Sequence, residues 1–467
     1  MAKNKNIAYI WWLTITASLG GFLFGYDTAV ISGTLSMVRS QFALNAAMEG
    51  WYVSCALVGC VFGLSFAGWL TDKYGRKKVL LLTATLFAIS AFGCALIDSF
   101  SILVIYRFLG GMGVGIASML SPMYISEISP PAIRGRLVAI YQLAIAVGIL
   151  VSYFVNAWLL NQSSGQGFFI SDILILVFKT EVWRAMLGME SIPAMTFFIL
   201  LLTVPESPRW LVIKGKPDKA KAILLKTSGD READHEIKEI LDSLETEKKS
   251  KNLILDPGIK LALFLGVSLA VLQQFTGIDA IIYYGPRIME QAGFALSDAL
   301  GSQVVIGVVL MLFTLLAIWQ IDKFGRKPLL LSGTMGMFIS LIAIGFLFFI
   351  NQAEGILLLS LILIYIASFA FSLGPVVWVI ISEIYPTKIR GRAMSIATMA
   401  VWIGTSIIGQ FIPLSLDNLG PAITFWIFAF FCIPTMWIGW KIMPETKGKT
   451  LEYIEKYWLE YKFKRSK

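Results

Sequence analysis

A chain of 467 residues that is 57% hydrophobic and only 15% charged, with a mean hydropathy of +0.74, has too much apolar surface for a water-soluble domain. Its apolar residues run in continuous segments of about 20, the length of a membrane-spanning helix, and not in alternating ten-residue strands, which excludes a barrel. The net charge of +9 would suit a nucleic-acid surface, but its distribution along the chain fits membrane orientation, so no nucleic-acid partner is expected.

Twelve apolar spans are predicted: Ile7–Ser32, Gly50–Leu70, Val79–Leu96, Ile102–Ile125, Leu137–Leu159, Val182–Val204, Leu261–Tyr284, Leu300–Ile321, Leu329–Ile350, Ile356–Ile381, Ala393–Ser415 and Pro421–Met443. The first apolar run is too long for a signal peptide and has no clear small-residue cleavage site, so it counts as helix 1. Prolines 122, 193, 375, 413 and 434 fall inside spans, where neighbours or cavity water can satisfy a broken backbone. Most of the 39 lysines and arginines lie in the N-terminus, the loops after even-numbered spans and the C-terminus. Arg39, Lys179, Arg184 and Arg287 fall on the other side, and Arg107 lies within a span. The positive-inside rule then puts both termini in the cytoplasm, in a plasma membrane.

Between spans six and seven, Lys216–Ser228 and Glu232–Glu247 each carry apolar residues on one face and read as amphipathic cytoplasmic helices. The tail repeats the idea with Leu451, Ile454 and Trp458. The outer loop Asn161–Glu181 has its own apolar run, Phe168–Phe178, with no functional reading. The expected organisation is a first six-helix half (1–204), a cytoplasmic linker (205–260), a second half (261–443) and a tail (444–467).

Cys55, Cys60, Cys94 and Cys432 all lie in apolar spans, and the single histidine, His235, in a charged stretch. No disulfide framework, metal site or cofactor is expected. No nucleophile–base constellation is visible either, so an enzyme is not expected.

Two signatures occur twice. Asp72-Lys-Tyr-Gly-Arg-Lys-Lys returns as Asp322-Lys-Phe-Gly-Arg-Lys-Pro, and Glu127-Ile-Ser-Pro-Pro-Ala-Ile-Arg-Gly-Arg as Glu383-Ile-Tyr-Pro-Thr-Lys-Ile-Arg-Gly-Arg. Such parallel repeats belong to carriers whose two halves expose a midplane site alternately. All four lie at cytoplasmic span ends, where Glu127 with Arg134, and Glu383 with Arg390, can form a charge latch that parts when that side opens. Asp27 is the remaining anomaly: a carboxylate inside hydrocarbon costs roughly 3 kcal/mol on insertion scales. At 1.5 Å per residue, Asp27 on span 1 and Arg107 on span 4 both lie roughly 10 Å below the outer surface and can meet.

With these residues in place, the chain is identified as similar to the sugar porter family of the major facilitator superfamily. The resemblance covers nearly the whole chain: Gly25-Tyr-Asp-Thr-Ala-Val-Ile-Ser-Gly, Asp72…Gly-Arg, Arg107-Phe-Leu-Gly-Gly, Glu127…Arg134-Gly-Arg, Pro205-Glu-Ser-Pro-Arg-Trp-Leu, Gln273-Gln-Phe-Thr-Gly-Ile, Asp322…Gly-Arg-Lys, Glu383…Arg390-Gly-Arg and Pro444-Glu-Thr-Lys-Gly. It implies a major facilitator fold and extends the latch to Asp72, Arg76, Glu206, Arg209, Asp322, Arg326 and Glu445. It also implies a sugar pocket of Gln142, Gln273, Gln274, Trp378 and Trp402, lined or gated by Phe24, Tyr283 and Tyr284. Polyols need side chains that both donate and accept hydrogen bonds, plus an aromatic face.

Proton-coupled members of the family carry Asp at position 27 and facilitators carry Asn. The resemblance therefore implies symport of a monosaccharide with a proton by a monomer in the bilayer, with Asp27 and Arg107 as the coupling pair. Asp279, Ile149, Leu310 and Val401 depart from the family's xylose carriers, leaving one pocket wall less polar and another with an extra acid. Pentose, hexose and polyol therefore stay open, with a facilitative sugar or inositol carrier as the alternative. A non-transporting sugar receptor is the alternative of another class; the short tail after Pro444 argues against it.

Overall fold

The computed structural model describes residues 6–130, 133–163, 175–227, 233–238, 240–241, 257–353, 355–385, 389–447, 449, 453–454 and 456–458. Among them every regular element is helical, and twelve spans are long and apolar enough to cross a membrane. Large apolar side chains such as Phe62, Phe66, Phe346 and Trp437 are exposed along these helices, as a lipid-facing surface requires.

The first five helices are continuous: α1 (Ile7–Gln41), α2 (Ala46–Tyr74), α3 (Arg76–Leu96), α4 (Phe100–Ile128) and α5 (Arg134–Ser163). α1 and α2 run beyond the apolar segments that announced them, so their outermost turns are polar. The sixth span is two helices, α6 (Val182–Gly188) and α7 (Ser191–Thr203), with Glu190 in the break. Residues 164–174 of the predicted outer loop lie outside the described residues. The short helices α8 (Pro208–Ile213) and α9 (Pro217–Thr227) follow; Leu211, Val212 and Ala220 form a small core with Trp210, Ile223, Ile237 and Ile240. The predicted linker helices thus pack on each other. Of Glu232–Glu247, residues 232, 239 and 242–247 lie outside the described residues, as does Leu451 in the tail; Ile454 and Trp458 are buried.

The second set comprises α10 (Pro257–Phe275), α11 (Ile278–Gln291), α12 (Leu296–Phe324), α13 (Arg326–Phe349), α14 (Gly355–Phe371), α15 (Leu373–Glu383), α16 (Arg390–Asn418) and α17 (Gly420–Lys441). Two predicted spans are broken here, at Thr276–Gly277 and at Ser372. Gly277 takes φ 92°, a left-handed conformation that L side chains avoid. Side chains bond the backbone at both breaks: Gln273 Nε2 donates to Leu373 O (2.9 Å) and Gly374 O (3.2 Å), and Tyr365 Oη donates to Thr276 O (3.0 Å). Pro193 and Pro375 fall in the first turns of α7 and α15, where a missing N–H costs nothing, whereas Pro122, Pro413 and Pro434 sit inside continuous helices.

The chain divides into two compact units, residues 1–37 with 55–249, and 38–54 with 250–467. Their packing echoes the sequence repeat. In the first unit α3 lies against α4 and α7; in the second α13 lies against α14 and α17. Some of this contact is backbone on backbone. A Cβ on Gly111 of α4 would stand 1.8 Å from Ala56 O of α2, and one on Gly25 of α1 would stand 2.0 Å from Ile145 O of α5.

The repeated motifs form the same structure twice. Gly75 and Gly325, both at φ 95°, turn α2 into α3 and α12 into α13. The Glu206 carboxylate accepts from the backbone N–H of Arg76, Lys77 and Ser207, and Glu445 from those of Arg326, Lys327 and Lys447. Each acid thus caps a helix N-terminus with charge of the favourable sign. Arg76 forks onto Glu127 through Nε and Nη2, both 3.0 Å; Arg326 does the same to Glu383 at 3.1 and 2.7 Å. Ser207 and Thr446 donate hydroxyls to the same glutamates.

The partner of Glu127 is therefore Arg76, on the neighbouring helix, while Arg134 donates to Ser129 O. Asp72 is exposed and 3.6 Å from Arg76, and Arg209 joins neither cluster among the described residues. The side chains of Asp322 and Arg390 lie outside the described ones.

Burial opposes ionisation of Glu445, but the N–H groups of Lys447, Lys327 and Arg326 outweigh it and hold the carboxyl below its ordinary 4.5. Its stabilisation is complete above that value and is lost as pH falls through the lowered folded value. Glu445→Gln is therefore expected to melt below the parent at neutral pH, with the gap closing in acid; melts of detergent-purified protein across a pH series check this. Gly111→Leu overpacks the α2–α4 contact and is expected to cost about 1–3 kcal/mol, read as a lower melting temperature in the same assay.

Candidate functional site

α1 carries Asp27 and α4 carries Arg107, and the two meet. Arg107 Nη1 donates to Asp27 Oδ1 at 2.6 Å, with the residues 2% and 3% exposed. The approach depends on small residues after the arginine. Gly111 lets α4 touch α2, and a Cβ on Gly110 would press on Ser90 Oγ at 2.5 Å. The Arg-Phe-Leu-Gly-Gly run thus brings its own charge to the carboxylate.

A second acid shares the site. Glu190, in the α6–α7 break, is 2% exposed, lies close enough to feel the charges of both Asp27 and Arg107, and has no partner for Oε1. Two carboxyls facing one guanidinium put more acidic than basic groups in a buried place. Glu190 is not among the residues singled out in the sequence. The signal was there: an acid within the apolar span Val182–Val204, legible by the rule that singled out Asp27.

The candidate sugar residues fall into two groups. In the first unit Gln142 on α5 is half-buried, and its amide has no hydrogen-bond partner among the described residues; Phe24 on α1 is half-buried. In the second unit Gln273 and Gln274 end α10. Gln273 spends its N–H donors on the α15 carbonyls, and Gln274 Nε2 donates to Gln273 Oε1 at 3.1 Å. Asp279, in the first turn of α11, is buried with Oδ2 unpartnered. Tyr283 is buried one turn later, and Tyr284 donates its hydroxyl to Gly409 O at 2.6 Å. Trp378 on α15 is half-buried and Trp402 on α16 is buried.

The second-unit residues thus sit at or beside helix breaks, where side chains and backbone both have polar atoms to offer. The arrangement suits a neutral polyol. Among the described residues no group of His, Cys, Asp and Glu could hold a metal ion.

The family of the Sugar (and other) transporter matches residues 13–458. The arabinose-proton symporter of Bacillus subtilis (strain 168) is 41% identical over 464 residues, covering 98% of this chain and 97% of that one. The D-xylose-proton symporter of Escherichia coli (strain K12) is 40% identical over 491 residues, with 98% and 97% covered. Among solved structures, the major facilitator superfamily proton:xylose symporter XylE bound to 6-bromo-6-deoxy-D-glucose is 39% identical with a TM-score of 0.80, covering 97% of this chain and all of that one. The inward-open conformation of the xylose transporter XylE from E. coli has a TM-score of 0.83 at 38% identity, covering 96% of this chain and all of that one. Fold, repeats and similarity agree, and the chain belongs to the sugar transporter family of the major facilitator superfamily.

Proposed function

We propose that this chain carries a monosaccharide into the cell together with a proton, by alternating access, as a monomer in the cytoplasmic membrane with both termini inside. The observation that carries the reading is the Asp27–Arg107 pair with Glu190 against it. A proton and a guanidinium compete for the Asp27 carboxylate. While Arg107 holds it, the pair is neutral and stable in hydrocarbon. When a proton replaces the guanidinium, Asp27 is neutral alone and α4 is free to move relative to α1. The names of the arabinose-proton and D-xylose-proton symporters, at 41% and 40% identity, support the same reading. Gln142, Gln274 and Asp279 are proposed to bond the hydroxyls, with Trp378, Trp402, Phe24 and Tyr283 as the apolar lining and Gln273 as the residue that fixes the pocket's backbone.

Asp279, buried with Oδ2 unpartnered, is a second candidate for the coupling acid and an additional acceptor for a hydroxyl, so a polyol stands beside the sugars as a substrate, with facilitated transport as the alternative to symport. Sugars competing for uptake by protein in liposomes, with and without an imposed pH gradient, decide between pentose, hexose and polyol and between symport and facilitation.

Asp27→Asn is expected to abolish uphill accumulation in sealed vesicles while counterflow exchange continues; retained accumulation would remove Asp27 as the coupling acid. Gln142→Ala is expected to raise KM about tenfold, the worth of one strong hydrogen bond, with kcat changed far less. Initial uptake rates at graded sugar concentration check it.

A further inference from the structure

One charged cluster has no part in the proton or sugar sites. Arg287 lies on α11, one turn past Tyr283, and is buried. Its Nη1 donates to Glu49 Oε1 at 2.5 Å and its Nη2 to Asp417 Oδ1 at 2.6 Å. Arg39 faces the same two acids, with Nε 3.4 Å from Glu49 Oε2 and Nη2 3.8 Å from Asp417 Oδ2. Two cations and two carboxylates close a neutral square. Glu49 is fully buried at its centre, while the Arg39 and Asp417 side chains are 40% and 34% exposed at its rim.

All four residues belong to the compact unit of 38–54 and 250–467, so the α1–α2 turn is tied by charge to the unit that contains α11. Gln410 of α16 adds to this tie, donating to Ala47 O and accepting from Ser54 Oγ, both at 2.9 Å. The remaining lengths of α1 and α2 belong to the other unit. The start of α2 and the end of α1 can therefore part from α11 only by opening the square.

A static brace does not need buried charge, since apolar side chains of similar volume pack at least as stably. A contact that must open to water does. When an apolar seam parts it exposes surface that water rejects, whereas a parted ion pair is hydrated on both sides.

We propose that the Arg39–Glu49–Arg287–Asp417 square is a reversible clasp that holds α11 in place at the mouth remote from the termini. Arg287 is thereby a positioning residue for Asp279 and Tyr283 on the same helix. This rests on the alternating-access reading and on the orientation given above, in which that mouth is the outer one. Opening the clasp admits sugar from outside; closing it precedes release within.

The test uses the full chain with Ile288→Cys, a buried position next to Arg287, and a membrane-impermeant maleimide; the four native cysteines are buried. Labelling is followed in intact cells and in inside-out vesicles without sugar or pH gradient, so the outcome is independent of proton coupling. Glu49→Gln leaves two guanidinium groups facing one carboxylate and is expected to raise labelling from outside about tenfold, a shift of one decade in the open-to-closed ratio. Its KM for outside sugar falls, because the receptive state is more populated, and kcat falls with it. Glu49→Asp and Arg287→Lys, which keep the charges, label near the parent rate. The neutral double variant Glu49→Gln with Arg287→Gln labels more slowly than Glu49→Gln alone. Equal rates in the charge-keeping and charge-removing variants overturn the proposal, as does a rate change seen only from the cytoplasmic side. Should Glu49→Gln fail to reach the membrane, the rim variants Asp417→Asn and Arg39→Gln give the same readout, and parent-like rates in both overturn it.

Discussion

The contact between Asp27 and Arg107 governs how the first unit is built. Either charge alone would be untenable in hydrocarbon, and together they require α1 and α4 to approach within hydrogen-bond distance. That approach forces the surroundings to be small. Gly25 meets α5, Gly110 meets Ser90 and Gly111 meets α2, each so closely that a methyl group would collide. Much of the glycine in this part of the chain serves to bring two ionised side chains together and seal them from lipid. The break that presents Glu190 to the same place belongs to this design: an interrupted helix can aim a side chain where a continuous one would turn it away.

A different use of charge recurs at the helix ends near the termini. There carboxylates cap helix N-termini and arginines fork onto glutamates, in two copies that match atom for atom in kind: Glu206, Arg76, Glu127 and Ser207 in one, Glu445, Arg326, Glu383 and Thr446 in the other. Each set lies inside one unit. Its first effect is to make a sharp turn and its two flanking helices into one stiff corner, on which any larger motion can pivot.

How much of this was legible in the sequence depended on whether a feature was local or assembled. The twelve spans were visible because continuous apolar length is a local property. The Asp27–Arg107 contact was visible because helical rise converts residue counts into depth. The partner of Glu127 was misjudged: Arg134 is closer in sequence, but Arg76 is closer in space, and only the packing of α3 on α4 decides that. The caps Pro205-Glu-Ser and Pro444-Glu-Thr were quoted as motifs, yet their function requires the distant N–H groups they accept. The break at Ser372 left little mark in hydropathy, since its neighbours are largely apolar, whereas the break at Gly277 lies among Gln273, Gln274, Thr276 and Asp279, a polar interruption of the span. Glu49 and Asp417 fall just outside the apolar runs Gly50–Leu70 and Ala393–Ser415, because α2 and α16 extend beyond them, so hydropathy does not single them out.

The Gln273 amide has a mechanical consequence. Its donors are fixed to the carbonyls of Leu373 and Gly374, so the kink that separates α10 from α11 and the kink that separates α14 from α15 share a common pin. Two elbows joined in this way do not flex separately. A tilt of the segment bearing Asp279 and Tyr283 is transmitted through one planar, stiff group to the segment bearing Trp378, so that the two segments would swing in concert.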